Sequence, residues 1–221
     1  MKFAGTIVGA FAIFAATATS AQTSLIGAYR LAEGPDVAGE LILTPDGRFR
    51  YALAAGALDE QAEGRWVVAD GRTRLYTEPK PTPAVFSAGP QSAIRNAPVK
   101  VLVTWPNGEG IAGIDITIGF DSGPPVTGYT QYYGWTLPPD EKRTPRWIEL
   151  VEPIHGVTSP RFAIDIAKGN ALGFILTPHD LGIVDFEGTL IERVGDRLIM
   201  HQRRGDLTFV KSQTATVRSD E

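Results

Sequence analysis

The chain has 221 residues, with 21 Lys and Arg against 25 Asp and Glu, a formal net charge of −4 and no cysteine. That length suits one large β domain or two small ones. The missing thiols exclude disulfides, thiolate nucleophiles and Cys-held metals, and no block of like charge suggests a nucleic-acid or anionic-membrane surface.

Residues 1–21 begin with Lys2, continue through about fifteen mostly apolar residues, as a signal peptide does, and end on small residues before Gln22. Thr19 and Ala21 stand where a signal peptidase reads its −3 and −1 positions. The run is short of the roughly 20 apolar residues a membrane span needs. Export to the periplasm or beyond the cell is expected, with no transmembrane segment after cleavage. The absence of an Asn-x-Ser/Thr sequon fits a bacterial exported protein.

Residues 22–76 read as a β-hairpin module. In "ELILT" Leu41 and Leu43 share a face, and in "RFRYAL" Phe49, Tyr51 and Leu53 do. Alternation with period two marks half-buried strands. Pro45, Asp46 and Gly47 supply the turn between them. Asp70-Gly71 closes a second hairpin. Between the hairpins, Asp59, Glu60 and Glu63 read as a polar connection rimming a sheet, lacking the ligand spacing of a calcium loop. These opening hairpins, with the Gly-x-Trp of Gly64 and Trp66, resemble those of small lipocalin-like barrels.

Residues 77–98 carry many prolines and are expected to form an extended connector, either a boundary between domains or a long strap crossing one end of a single barrel. Residues 99–221 then read as a β-sandwich-like domain. Val99, Val101 and Val103 mark a face of one strand, and Ile114, Ile116 and Ile118 a face of the next, with "PNGEG" turning between them. Phe162, Ile164 and Ile166 face one way on a strand expected to hairpin with "ALGFILTP". A three-stranded meander follows, with turns at Gly195-Asp196 and Gly205-Asp206. The whole is expected to be all-β, antiparallel hairpins forming a sandwich, a small barrel or both, with little helix beyond the signal peptide.

Residues 99–137 resemble a carboxypeptidase-regulatory-like, transthyretin-like β-sandwich module. The matching pieces are Asn107-Gly108, "IAGIDITI", Thr130 and Gly134-Trp135, whereas Gln131 stands where that family usually has an aspartate. The resemblance implies a fold, with adhesion or ligand display, and no reaction.

His155, His179 and His201 fall at spacings that match no local metal motif. No Gly-x-Ser-x-Gly, Ser-x-x-Lys or His-Glu-x-x-His occurs. Tyr129, Tyr132, Tyr133 and Trp135 cluster, with Trp147 beyond a loop. Aromatic faces anchor glycan and protein contacts, so these five are the candidate ligand-binding residues. In a continuous strand Tyr129, Gln131 and Tyr133 would share one face and Tyr132 the other, so one face is expected to be buried. The favoured function is an exported binding or interaction module of the bacterial envelope, without cofactor. Its candidate partners are a glycan, a lipid or an envelope protein. An enzyme, metal-dependent through the three histidines, is the alternative.

Overall fold

A computed structural model describes residues 25–32, 34–202 and 204–212. The signal-peptide reading of residues 1–21 lies outside them. In chain order the strands are β1 (Gly27–Leu31), β2 (Val37–Leu43), β3 (Arg48–Ala55), β4 (Leu58–Ala69), β5 (Arg72–Thr77), β6 (Val85–Ser92), β7 (Lys100–Thr104), β8 (Asp115–Phe120) and β9 (Val126–Tyr129). They continue with β10 (Trp135–Thr136), β11 (Pro145–Glu152), β12 (Val157–Thr158), β13 (Phe162–Ala163), β14 (Ala171–Thr177), β15 (Glu187–Val194), β16 (Arg197–Gln202) and β17 (Gly205–Lys211). The expected all-β fold forms as both a barrel and a pair of packed sheets.

The barrel closes in the order β1-β2-β3-β4-β5-β15-β16-β17, and β17 returns to β1 through pairs such as Leu31 with Phe209. Every neighbouring pair is antiparallel. The alternation read in the sequence points inward as expected: Leu41, Leu43, Phe49, Tyr51, Trp66, Leu75, Met200 and Phe209 are buried. Eight strands enclose a space that such side chains just fill, and closure leaves no unpaired edge. Gly64 lies where the wall is tightest: a Cβ there would sit 2.0 Å from the Tyr76 carbonyl oxygen. At the Pro45-Asp46-Gly47 turn, Asp46 accepts a hydrogen bond from the Arg48 amide at 3.3 Å. Asp70 and Gly71 both adopt positive φ, 52° and 71°, as the turn between β4 and β5 requires.

Two sequence expectations are corrected here. Asp59, Glu60 and Glu63 do not form a connection; they lie in the first half of the 12-residue strand β4. The domain boundaries also differ. Among the described residues the compact units are those up to 80 together with those from 183 on, and residues 81–182. Residues 187–211 belong to the barrel because β5 and β1 each need a partner, and the C-terminal meander supplies both. Thr77 marks the interruption on the barrel side. Its amide donates to the Phe186 carbonyl at 2.9 Å and its hydroxyl to the Val184 carbonyl at 2.7 Å.

The second unit packs a β10-β7-β14-β6 sheet and a β12-β11-β8-β9 sheet, with β13 also on β11. Between them lies a core rich in branched side chains: Val101, Val103, Ile114, Ile116, Ile118, Ile148 and Leu150. Its own ends are tied together, because the Thr82 amide donates to Asp180 at 2.7 Å. Residues 77–98 are not simply a connector. Val85–Ser92 forms edge strand β6 on β14, and Pro90 falls at the register shift opposite Gly173, a bulge where a missing ladder donor is tolerated.

The "PNGEG" turn closes only a short antiparallel bridge between Thr104 and Gly110 and does not pair the two strands it was expected to join. β7 pairs with β10 and β14, and β8 with β9 and β11, so the two valine- and isoleucine-rich strands belong to different sheets. Nor do residues 162–177 form a hairpin. β13 pairs with β11 instead, and Ile166 opens an exposed 3₁₀ turn capped by Asp165. In the meander, Gly205 and Asp206 already pair with Gln202 and His201, so they begin a strand and do not form the turn.

Candidate functional site

The five candidate aromatics divide among three settings. β9 ends at Tyr129, which pairs with Asp115 of β8. Two residues later, the Gln131 and Gly134 backbones bond each other, N–H to carbonyl, at 3.1 and 2.8 Å. Tyr132 and Tyr133 therefore occupy the two central positions of a tight turn. The strand periodicity breaks at this turn, so buried Thr130 is followed by two tyrosines that both face water. Tyr129, Tyr132 and Tyr133 are 58%, 75% and 76% exposed.

The turn is held rigidly from its flanks. Gly134 takes φ 96°, and a Cβ on it would meet the Val101 carbonyl oxygen at 2.4 Å. Gly110 presses so closely on Tyr132 that a Cβ there would lie 1.8 Å from the Tyr132 carbonyl oxygen. Thr130, fully buried, donates its hydroxyl to the Ile111 carbonyl at 2.6 Å and accepts the Ile114 amide at 3.0 Å. Buried polar groups are costly unless paired in this way. Thr130 and Gly134 thus serve as structural ties that place the tyrosines.

Trp135 is a packing residue. Its indole covers Gly128, where a Cβ would lie 2.3 Å from Nε1, and it packs on the sandwich core. Trp147 lies on the other face of its sheet, over Gly119, whose added Cβ would lie 2.0 Å from the indole. The Arg161 guanidinium stacks on it, 4.1 Å from the ring centroid, and also donates to Glu149 at 3.3 Å. Register places Tyr129, Asp115, Glu149 and Trp147 on this same outer face. Sequence reading missed Asp115, Glu149 and Arg161, whose association with the aromatics depends on pairing between distant strands.

A cleft of about 440 Å³ in the same unit is lined by Ile94, Val99, Leu137, Glu141, Arg143 and Asn170, among others. Its charges are engaged internally. Arg143 pairs with Glu141 at 2.6 Å and donates to the Ser122 and Pro124 carbonyls at 2.9 and 2.8 Å. Hydrogen bonds from Arg143 draw the Glu141 carboxyl down to about 2.

The histidines go to separate places. His155 packs on buried Glu152, with Nδ1 3.2 Å from its carboxylate. His201 lies in the barrel wall, with Nδ1 3.0 Å from Asp206 and Nε2 3.4 Å from Glu192. His179 takes a positive φ of 42°. Among the described residues no group of three His, Cys, Asp or Glu is arranged to hold a metal ion, and no helix is long and apolar enough to cross a membrane. In the barrel, burial raises the Tyr51 hydroxyl pKa, and that hydroxyl lies 3.3 Å from Glu60.

No family model, curated protein or solved structure matches the chain.

Proposed function

We propose that the chain is an exported binding module of the bacterial envelope whose contact point is the Tyr132–Tyr133 turn, with exposed Tyr129 at the end of β9 just before it. The observation that carries this reading is the 75% and 76% exposure of two adjacent tyrosines on a turn whose backbone is fixed from both flanks. Large aromatic rings on a rigid support contact a partner at low entropic cost. Folding gains little from leaving them in water, so a partner that covers them accounts for their place. The resemblance of residues 99–137 to a transthyretin-like module points the same way, toward adhesion or ligand display.

The test is a thermal-shift screen of the chain from Gln22 against glycan fragments, lipids and divalent metals. A ligand at 100 times its dissociation constant stabilises by about 2.7 kcal/mol, which is several degrees for a protein of this size. The shift is expected with a glycan or lipid and is expected to vanish in a Tyr132→Ser, Tyr133→Ser variant of unchanged melting temperature. A shift that survives that variant contradicts the assignment. A metal shift that EDTA reverses and His→Ala changes abolish favours the enzyme reading instead.

A further inference from the structure

We propose that the outer wall of β3, β4 and β5 is a docking surface for an acidic polysaccharide. On β3, Arg48 and Arg50 flank inward Phe49; on β5, Arg72 and Arg74 flank inward Thr73. The register sets Arg48 directly opposite Arg65 of β4 and brings Arg72 and Arg74 opposite Ala69 and Val67. Five arginines thus share one face of three neighbouring strands with two outward carboxylates of β4, Asp59 and Glu63, in a chain whose net charge is −4. No run of like charge announces them, because inward residues alternate with them in the sequence.

Like charges directly opposite each other destabilise a sheet, and the one such pair on this face, Arg48 and Arg65, is held by a shared carboxylate. Glu78 bridges Arg48 at 3.4 Å and Arg65 at 2.6 Å. Arg74 donates to the Gly188 carbonyl at 3.0 Å. Exposed Arg50 and Arg72 have no ion-pair partner among the described residues, although Glu63 lies opposite Arg50 in register. Beside Arg48 and Arg50 lies a depression of about 400 Å³, which Ile42, Thr44 and the carboxylates of Asp46 and Glu63 also line.

Guanidinium groups bind carboxylates and other oxyanions through paired N–H donors. Residues two apart on a strand repeat at about 6.6–6.8 Å and strands at about 4.8 Å. A single small anion cannot engage charges spread over that area, whereas a polymer bearing repeated oxyanions can. Single-stranded nucleic acid also needs rings for its bases to stack on. The ring on this face, Tyr76, is already covered by the Arg65 guanidinium at 4.3 Å. A flat anionic membrane meets the convex wall of a closed barrel along little more than one strand. A flexible acidic polysaccharide fits both the charge and the curvature. This inference stands on the barrel alone and does not depend on the tyrosine turn.

The test is titration of the chain from Gln22 with polygalacturonate at low and rising salt. Binding is expected at low salt and should weaken linearly in log–log form as counterions are no longer released favourably. Arg50→Gln with Arg72→Gln should weaken it on the order of tenfold, with each single change giving part of the loss. Melting should stay within about 2 °C, and Lys142→Gln with Arg146→Gln in the other unit should bind as the parent does. Absence of binding at low salt overturns the proposal. So does undiminished binding by the Arg50, Arg72 variant, or tighter binding of single-stranded DNA or phosphatidylglycerol vesicles than of the polysaccharide.

Discussion

The barrel and the sandwich bury their cores by different means. The barrel interior is rich in rings: Tyr29, Phe49, Tyr51, Trp66 and Phe209 converge from strands of a closed wall, joined by Phe186 from the segment just before β15. The sandwich fills the gap between two sheets with valine and isoleucine, whose branched side chains interdigitate on pleated surfaces. Closure also separates their roles. The barrel leaves no edge and few large apolar groups in water. The sandwich has open ends, and its end turn carries the exposed tyrosines. A closed frame interrupted by an open, loop-bearing unit combines stability in one part with contact surface in the other.

The most severe way to break the comparison is to end the chain after Gln202. That removes β17, which ladders to both β1 and β16. Calorimetry should show the barrel transition lost and the sandwich transition kept. Phe209→Ala is milder. The ring is completely buried, so urea unfolding should show about 3–5 kcal/mol lost from the barrel alone. Thr130→Val acts on the other side. It strands the Ile114 amide and the Ile111 carbonyl in the core, and should cost the sandwich about 1–3 kcal/mol without moving the barrel.

How far the sequence foretold these positions follows from the physics of pairing. The inward faces were legible because period two depends only on the strand itself: Phe49, Tyr51 and Leu53 are buried as read, and so are Ile114, Ile116 and Ile118. Turn chemistry was legible at Gly47 and at Asp70-Gly71 for the same local reason. Which strand pairs with which was not. Nothing near Thr77 says that its amide bonds the distant Phe186 carbonyl, and nothing in Val101 says that its strand runs beside β14 and not β8. The candidate site was half legible. Composition singled out the five aromatics. It did not separate Trp135, which packs on the core over Gly128, from Tyr132 and Tyr133, which the turn lifts into water.

A subtler difference lies in acid. Glu141 has its carboxyl drawn down to about 2 by Arg143, below its ordinary value. A depressed carboxyl contributes stability that is present above the unfolded pKa and lost as pH falls through the folded one. The sandwich should therefore weaken between about pH 4.5 and 2 through this group, and Glu141→Gln should flatten that part of its melting-temperature profile while leaving the barrel's unchanged. The smallest expected effect is on stability in the Tyr132→Ser, Tyr133→Ser variant. Both rings are exposed, so chemical unfolding should shift by no more than about 0.5 kcal/mol.

The most direct measurement is of residues 81–182 expressed alone, melted with and without whatever ligand shifts the longer chain. An autonomous sandwich carrying the contact turn predicts one cooperative transition and a ligand shift that depends on Tyr132 and Tyr133. A segment that fails to melt cooperatively, or that melts cooperatively without the ligand shift, would contradict that account.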